Sequence, residues 1–386
     1  MRGFAVLATC LVLALGQAKA EDFVLGSHLP LTGSLAQVGN GMHEGIQVAV
    51  DLFNRENQGH QVKLNTIDDE SSPAKAVAAV ERLASERVVA LSGGYGSNII
   101  GPASEAAAKA KLVYITSGGV GPELSQRGLE YFFRINNTEG YSKAVTGLID
   151  DMGVKKVSIV YNNKEATTDL ARTVEKTLSD AGIKVSSLAF DGGHADFKPL
   201  INKVKLQDHP DLILMSGYEN DYIGILRAGN VLKPDIKAIV GVWSLATSEM
   251  NNKFNDLVQY VYGTSMLPYP AEFATPEAKL FAETYEKLYG KAPDYLGQFG
   301  YVQTRLLLQA VLRAENDGTL GKGGLADELR KTDEETLIGR VKFDKNGDNP
   351  EFAQRMGQHQ GNKVVLVWPA KAATGKMVFP ATPWSK

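Results

Sequence analysis

Cysteine is almost missing from this chain of 386 residues. The one that occurs, Cys10, lies within the first twenty, so the remainder can close no disulfide. Histidine is scarce as well: the six, at 28, 43, 60, 194, 209 and 359, never fall into an H-x-x-x-H spacing, which leaves a metal centre little support. Basic runs are absent. Lys and Arg number 41 against 44 Asp and Glu and are scattered along the chain, which excludes the positive stripe that nucleic acid requires. No apolar run reaches the ~20 residues of a membrane-crossing helix.

Enzyme signatures fail on spacing. The glycine-rich stretch "GGYGSNIIGPAS" (93–104) has Pro102 where a phosphate loop needs Lys and Ser or Thr. It is no dinucleotide fingerprint either, because Gly94-x-Gly96 is followed next by Gly101. A G-x-S-x-G elbow is lacking. "FDKNGDN" (343–349) brings its glycine too early for a calcium loop and is predicted as an Asn-Gly turn between two strands. Neither a cofactor nor a metal nor a catalytic residue is indicated.

What is there begins with a leader. Arg2, the apolar run Phe4 to Leu15 and the small-x-small "AKA" (18–20) predict a secretory signal peptide over 1–20, cleaved after Ala20. Lipidation at Cys10 competes with this, but the apolar run continues to Leu15 and cleavage after Ala20 explains more of the segment. After Glu21, short β-branched runs alternate with helical periodicities. Strands are predicted at 23–27, 62–67, 88–92, 112–116 and 131–135; in the helical stretch between the first two, Ile46, Val50 and Phe53 share one face. The rhythm restarts near Asn136, with strands at 156–161, 185–190, 211–216 and 238–242, two long helical patterns at 276–289 and 297–315, and a last strand "KVVLVW". Strand and helix in turn mean βαβ units, and so an α/β protein of two similar lobes, each a parallel central sheet flanked by helices. The C-terminal portion is too large for a tail and too small for a third sheet, so it is expected to return and complete both lobes, with a cleft between them.

Within "GGYGSNIIGPAS", Ser97 offers a hydroxyl beside the start of a helix, where backbone N–H groups and the dipole favour an anion. "TSGGV" (116–120) likewise ends a strand with two glycines, and ligands of parallel sheets gather at such strand ends. The alternative stays open that Ser97 only caps the helix and the glycines only turn the chain.

The order of several segments is then informative: "LPLTGSLAQVGNGMHEGIQVAVDLFN", "DDESSPAKAVAAVERL", "GSNIIGPASEAAAKAKLVYITSGGVGPELSQRG", "YFFRINNTEG", "DLILMSGY" and "FDKNGD". Together they resemble the branched-chain amino-acid binding proteins of ABC importers, periplasmic binding proteins of the type I fold, through nearly the whole mature chain. The resemblance implies two Rossmann-like lobes joined by a three-crossover hinge, 21–138 plus 267–346 and 139–266 plus 347–386. It also implies a periplasmic monomer that closes on a small ligand and delivers it to an inner-membrane ABC permease. The family's carboxylate-binding serine falls on Ser97, assisted by the backbone of Gly118 and Gly119. Its next threonine is replaced by Val120 and its first-loop tryptophan by Val38. Tyr218 matches a strand-end tyrosine of the second lobe, and Phe299 an aromatic on the late helix.

The acid that pairs with the ligand's ammonium should fall in "VGVWS", where this chain has Trp243. A closed cleft excludes water, and a buried charge left without its partner costs several kcal/mol. The expected ligand is therefore a small organic acid without an α-amino group, aromatic acids included, stacked near Trp243, Tyr218 and Phe299. Two alternatives remain: Glu219, Asp221 or Glu249 replaces the missing acid, or Trp243 and neighbouring tyrosines such as Tyr95 hold a quaternary ammonium. Beyond these stand a binder of branched-chain or other amino acids, a sensor subunit for a membrane signalling partner, and an exported enzyme using the same cleft.

Overall fold

The computed structural model describes residues 21–57, 59–193, 196–243, 245–269, 273 and 275–384. The leader expected over 1–20, with its cleavage point, lies outside them. Five parallel strands form the first sheet: β1 (Glu21–Leu29), β2 (His60–Asp68), β3 (Ala90–Ser92), β4 (Tyr114–Thr116) and β5 (Phe132–Arg134), in the order β2-β1-β3-β4-β5. The second lobe repeats the same winding with β6 (Lys156–Asn162), β7 (Lys184–Phe190), β8 (Leu212–Ser216), β9 (Ala238–Gly241) and β10 (Tyr262–Thr264), in the order β7-β6-β8-β9-β10. A hairpin of β11 (Asp333–Thr336) and β12 (Gly339–Lys342) stands apart, while β13 (Met356–Gln360) and β14 (Lys363–Trp368) extend the second sheet antiparallel beyond β10. In each sheet the strand order reverses beside the first strand, and such switch points are where open α/β sheets bind ligands.

The chain passes between the lobes three times: at 135–137, after Thr264, and between Lys342 and Met356. The second passage sends the helices Pro276–Tyr289 and Tyr295–Asn316 back to the first lobe. The longer one packs along the helix Ala36–Glu56, whose Ile46, Val50 and Phe53 are buried as their spacing predicts. Glycine makes this approach possible. A Cβ at Gly45 would stand 1.9 Å from the Gly297 carbonyl oxygen, and one at Gly300 2.2 Å from that of Met42. The third passage is pinned to β5 by Arg134, 2 % exposed, whose guanidinium meets Asp348 at 2.6 and 2.9 Å.

That ion pair corrects one sequence expectation. The Asn346-Gly347 turn does not join two strands; it follows β12 and docks on β5, where the Gly347 carbonyl accepts the Arg134 N–H at 2.8 Å, and no strand begins again until Met356. The polar β13 and the short β10 lack an apolar alternation and were not legible. The helix after β3 begins at Ser97, ahead of Pro102, which sits inside it.

Candidate functional site

The carboxyl ends of both sheets face one space between the lobes. From the first lobe, Tyr95 and Gly96 follow β3, Ser117, Gly118 and Val120 follow β4, and Asn136 follows β5. From the second, Tyr141 stands in the first turn of the helix Thr138–Met152, Ala166 follows β6, Tyr218 follows β8 and Trp243 follows β9. The helices of the first lobe close the space with Met42, Tyr295, Leu296 and Phe299.

Two loops of the first lobe are fixed to each other. The Gly96 N–H donates to the Gly118 carbonyl at 2.9 Å, and the Gly118 N–H to Thr116 Oγ1 at 3.0 Å. A side chain at Gly118 would put its Cβ 2.0 Å from the Gly94 carbonyl oxygen, so this approach admits only glycine. Ser97 Oγ accepts the Gly121 N–H at 3.0 Å, and both the hydroxyl and the N–H of Thr138 donate to the Val120 carbonyl. The glycine-rich loop, the next loop and the start of the second lobe are thus one hydrogen-bonded unit.

Across from it, Trp243 has a φ of +37°, a left-handed conformation that a bulky residue adopts only when its surroundings impose it. Its N–H donates to Thr264 Oγ1 at 2.7 Å, and its ring lies 6.2 Å from Tyr218, nearly parallel, and 5.8 Å from Tyr141, edge to face. The Tyr141 oxygen accepts two hydrogen bonds, one from the Trp243 indole and one from Asn136 Nδ2 at 3.3 Å. With its lone pairs so engaged, the phenol keeps its own proton to donate. Burial drives the Tyr95, Tyr141 and Tyr218 hydroxyls well above the ordinary tyrosine range; the neighbouring tyrosines add to the shift at Tyr95, and Asp221 adds to it at Tyr218. All three remain protonated donors at neutral pH.

Among the described residues no Asp, Glu, Lys, Arg or His lines this space. The three acids named as replacements for the missing one stand elsewhere. Asp221 accepts from Asn162 and from the Tyr218 N–H, and Glu249 from Gln37 and Lys253. Glu219 borders a neighbouring space between the lobes, lined also by Val38 and the segment that precedes it.

Of the residues singled out in the sequence, Tyr95, Gly118, Val120, Tyr218, Trp243 and Phe299 line the cavity together. Ser97 and Gly119 belong to its supporting loops, and Val38 faces the neighbouring space. Sequence reasoning missed Met42, Ser117, Asn136, Tyr141 and Tyr295. A usable signal existed for two of them: Tyr141 and Tyr295 each stand in the first turn of a helix capped by Asn137 or Asp294, where side chains face the strand ends.

A family model described as periplasmic binding protein matches residues 24–363. The Leu/Ile/Val-binding protein homolog 7 of Brucella melitensis is 27% identical, over 97% of this chain and 98% of its own length. Homolog 8 of Brucella suis is 28% identical over 98% and 96%. Among solved structures, a leucine-binding protein of Thermotoga maritima superposes with a TM-score of 0.80 at 24% identity, covering 89% of this chain and 97% of its own. A branched-chain amino-acid transporter substrate-binding protein of Streptococcus pneumoniae in complex with isoleucine gives 0.79 at 24% identity, over 93% and 100%. A solute-binding protein of R. palustris in complex with benzoate gives 0.79 at 18% identity, over 90% and 95%. At these identities the likeness to the solved structures is one of fold.

Proposed function

The chain belongs to the periplasmic binding protein family, and from that premise we propose that it captures a small organic acid lacking an α-amino group, aromatic acids included, for an ABC importer. One observation carries the reading: among the described residues the lining holds no charge of either sign, while five hydroxyl-bearing side chains stand on it, those of Tyr95, Ser117, Tyr141, Tyr218 and Tyr295. An α-ammonium would lie buried without a counter-charge, at a cost of several kcal/mol. A carboxylate needs no cation if enough N–H and O–H groups point at it. The Tyr141 phenol and the Val120 N–H supply them from the lining, joined from the supporting loops by the Gly119 N–H and by Ser97, whose hydroxyl keeps its proton after accepting from Gly121; the Gly118 N–H is held by Thr116 and shapes the loop instead. Tyr218, Trp243 and Phe299 shape the apolar end, with Tyr95 beside them.

The remaining parts of the reading follow from the carrier role. Lobes of 21–138 plus 267–346 and 139–266 plus 347–386 close about the hinge, and the closed monomer presents its surface to the permease in the periplasm. No catalytic step is included. Support for an amine-free acid comes from the R. palustris protein, whose similar fold holds benzoate; the isoleucine complex is the counterexample within the fold. A second reading is favoured by the six aromatic side chains of the lining: a quaternary ammonium held by cation–π contact.

A thermal-shift panel on protein unfolded and refolded to strip carried-over ligand tests the proposal. A true ligand at a hundredfold excess over its Kd adds about 2.7 kcal/mol of stability. Shifts are expected from amine-free acids and none from leucine, valine or betaines. Shifts from leucine alone, or from betaines alone, would refute it.

A further inference from the structure

Asn136 lies in the first passage between the lobes, lines the cavity and is 1% exposed. The direction of its amide is set by its acceptors. Nδ2 donates to the Ser117 carbonyl at 2.8 Å and to the Tyr141 oxygen at 3.3 Å, and a flipped amide would set two acceptors against each other at Ser117. Oδ1 is left without a donor. Other buried acceptors share that condition, among them Gln298 and Gln303 of the long helix. Among the described residues, Asn136 Oδ1 alone combines it with a place on this cavity.

A buried acceptor without a partner costs its full desolvation, so a site that keeps one discriminates strongly for a ligand that supplies the missing donor. No described residue supplies it in the structure. Tyr141 receives the Asn136 amide and the Trp243 indole on its oxygen, so its proton points away from Asn136. A ligand carboxylate would repel Oδ1. An ammonium would donate to it, but no carboxylate lines the space to neutralise the charge. A hydroxyl group donates without bringing charge.

We propose that Asn136 is a specificity-determining residue that accepts a hydrogen bond from a hydroxyl of the ligand, so that the captured molecule is a hydroxylated organic acid. This rests on the organic-acid reading above and narrows it.

The test is isothermal titration of the refolded full chain with two matched series. One is benzoate with its 2-, 3- and 4-hydroxy isomers; the other is 4-methylpentanoate, its 2-hydroxy derivative and leucine, which differ only in the α substituent. At least one hydroxylated acid is expected to bind tenfold or more tighter than its unsubstituted parent. Asn136→Ala should reduce that advantage below threefold, and Asn136→Ser serves in its place if the alanine variant does not fold. Parents that bind as tightly as their hydroxylated forms overturn the inference and leave the organic-acid reading standing. A hydroxyl preference that survives in the variant overturns the assignment to Asn136. Binding of leucine with none of the acids overturns the underlying reading, and the inference with it.

Discussion

Replacing Tyr141 by Phe removes one oxygen from the cavity and almost no volume. The structure gives that oxygen three tasks: it accepts from the Trp243 indole, it accepts from Asn136 Nδ2, and its proton is left for the ligand. Asn136 keeps its stronger bond, to the Ser117 carbonyl at 2.8 Å. The indole of Trp243, 5% exposed, loses its acceptor, which costs the unliganded protein about 1–3 kcal/mol of stability. A hydrogen bond to a carboxylate contributes about 1.5–3 kcal/mol, so affinity for an acid should fall by roughly 10- to 150-fold. Titration calorimetry on refolded wild type and Tyr141→Phe measures the second quantity, and urea unfolding of the unliganded proteins the first. An affinity within twofold of wild type, with the expected loss of stability, refutes the phenol's place in the carboxylate grip. That result would favour the quaternary-ammonium reading, since a phenylalanine ring still offers its face to a cation.

Three further outcomes follow from particular contacts. Gly118→Ala drives a Cβ into the Gly94 carbonyl, so the two loops should part, with about 1–3 kcal/mol lost in unfolding and at least tenfold in ligand affinity; equal effects are not required, but an unchanged affinity would show that the loops are not held in register. His359, buried with Nε2 donating to the Leu245 carbonyl, has its pKa lowered to about 4 by desolvation, from an ordinary 6.5. The unfolded chain therefore takes up a proton first: stability is unaffected above pH 6.5, declines by about 3 kcal/mol as pH falls towards 4, and levels off below, a slope that denaturation of His359→Gln should lack. Glu219 lies at the contact between the lobes with its pKa raised, by burial first and then by Glu249, against the opposing pull of Lys253. If closure creates that burial, the closed state takes up a proton; ligand affinity should then rise as pH falls towards the carboxylate range in wild type and lack that rise in Glu219→Gln.

Periodicity located the two sheets because their strands are apolar runs closed on both faces, as β8 with all five residues buried illustrates. It did not locate β13, "MGQHQ", whose polar side chains are buried through partners distant in the chain: Gln358 bonds to the Tyr260 and Val378 carbonyls, and His359 to Leu245. The site divides in the same way. Trp243 was legible as a departure at a strand end, but its left-handed backbone and its bond to Tyr141 depend on neighbours far away in sequence. Asn136 gave no signal as a ligand group, because "NNTEGYS" reads simply as a capped helix start, and the one signal for Tyr141 was its place in the first turn of that helix. Only the meeting of three passages of chain turns those side chains into a lining. Ser97 was expected as an anion ligand; the structure places it in a loop that supports the cavity, where its hydroxyl holds the Gly121 N–H, a bond between residues 24 apart that no local pattern announces.

The claim underneath all of this is that the cavity accepts a carboxylate and rejects an ammonium beside it. Calorimetric titration of refolded protein with matched pairs measures that directly, using 3-phenylpropanoate against phenylalanine and 4-methylpentanoate against leucine, because each pair differs only by the α-amino group. The account predicts that in at least one pair the acid binds and its amino acid is weaker by a hundredfold or more, as about 3 kcal/mol for an unpaired buried charge requires. Amino acids that bind as tightly as their amine-free partners, or more tightly, would contradict it.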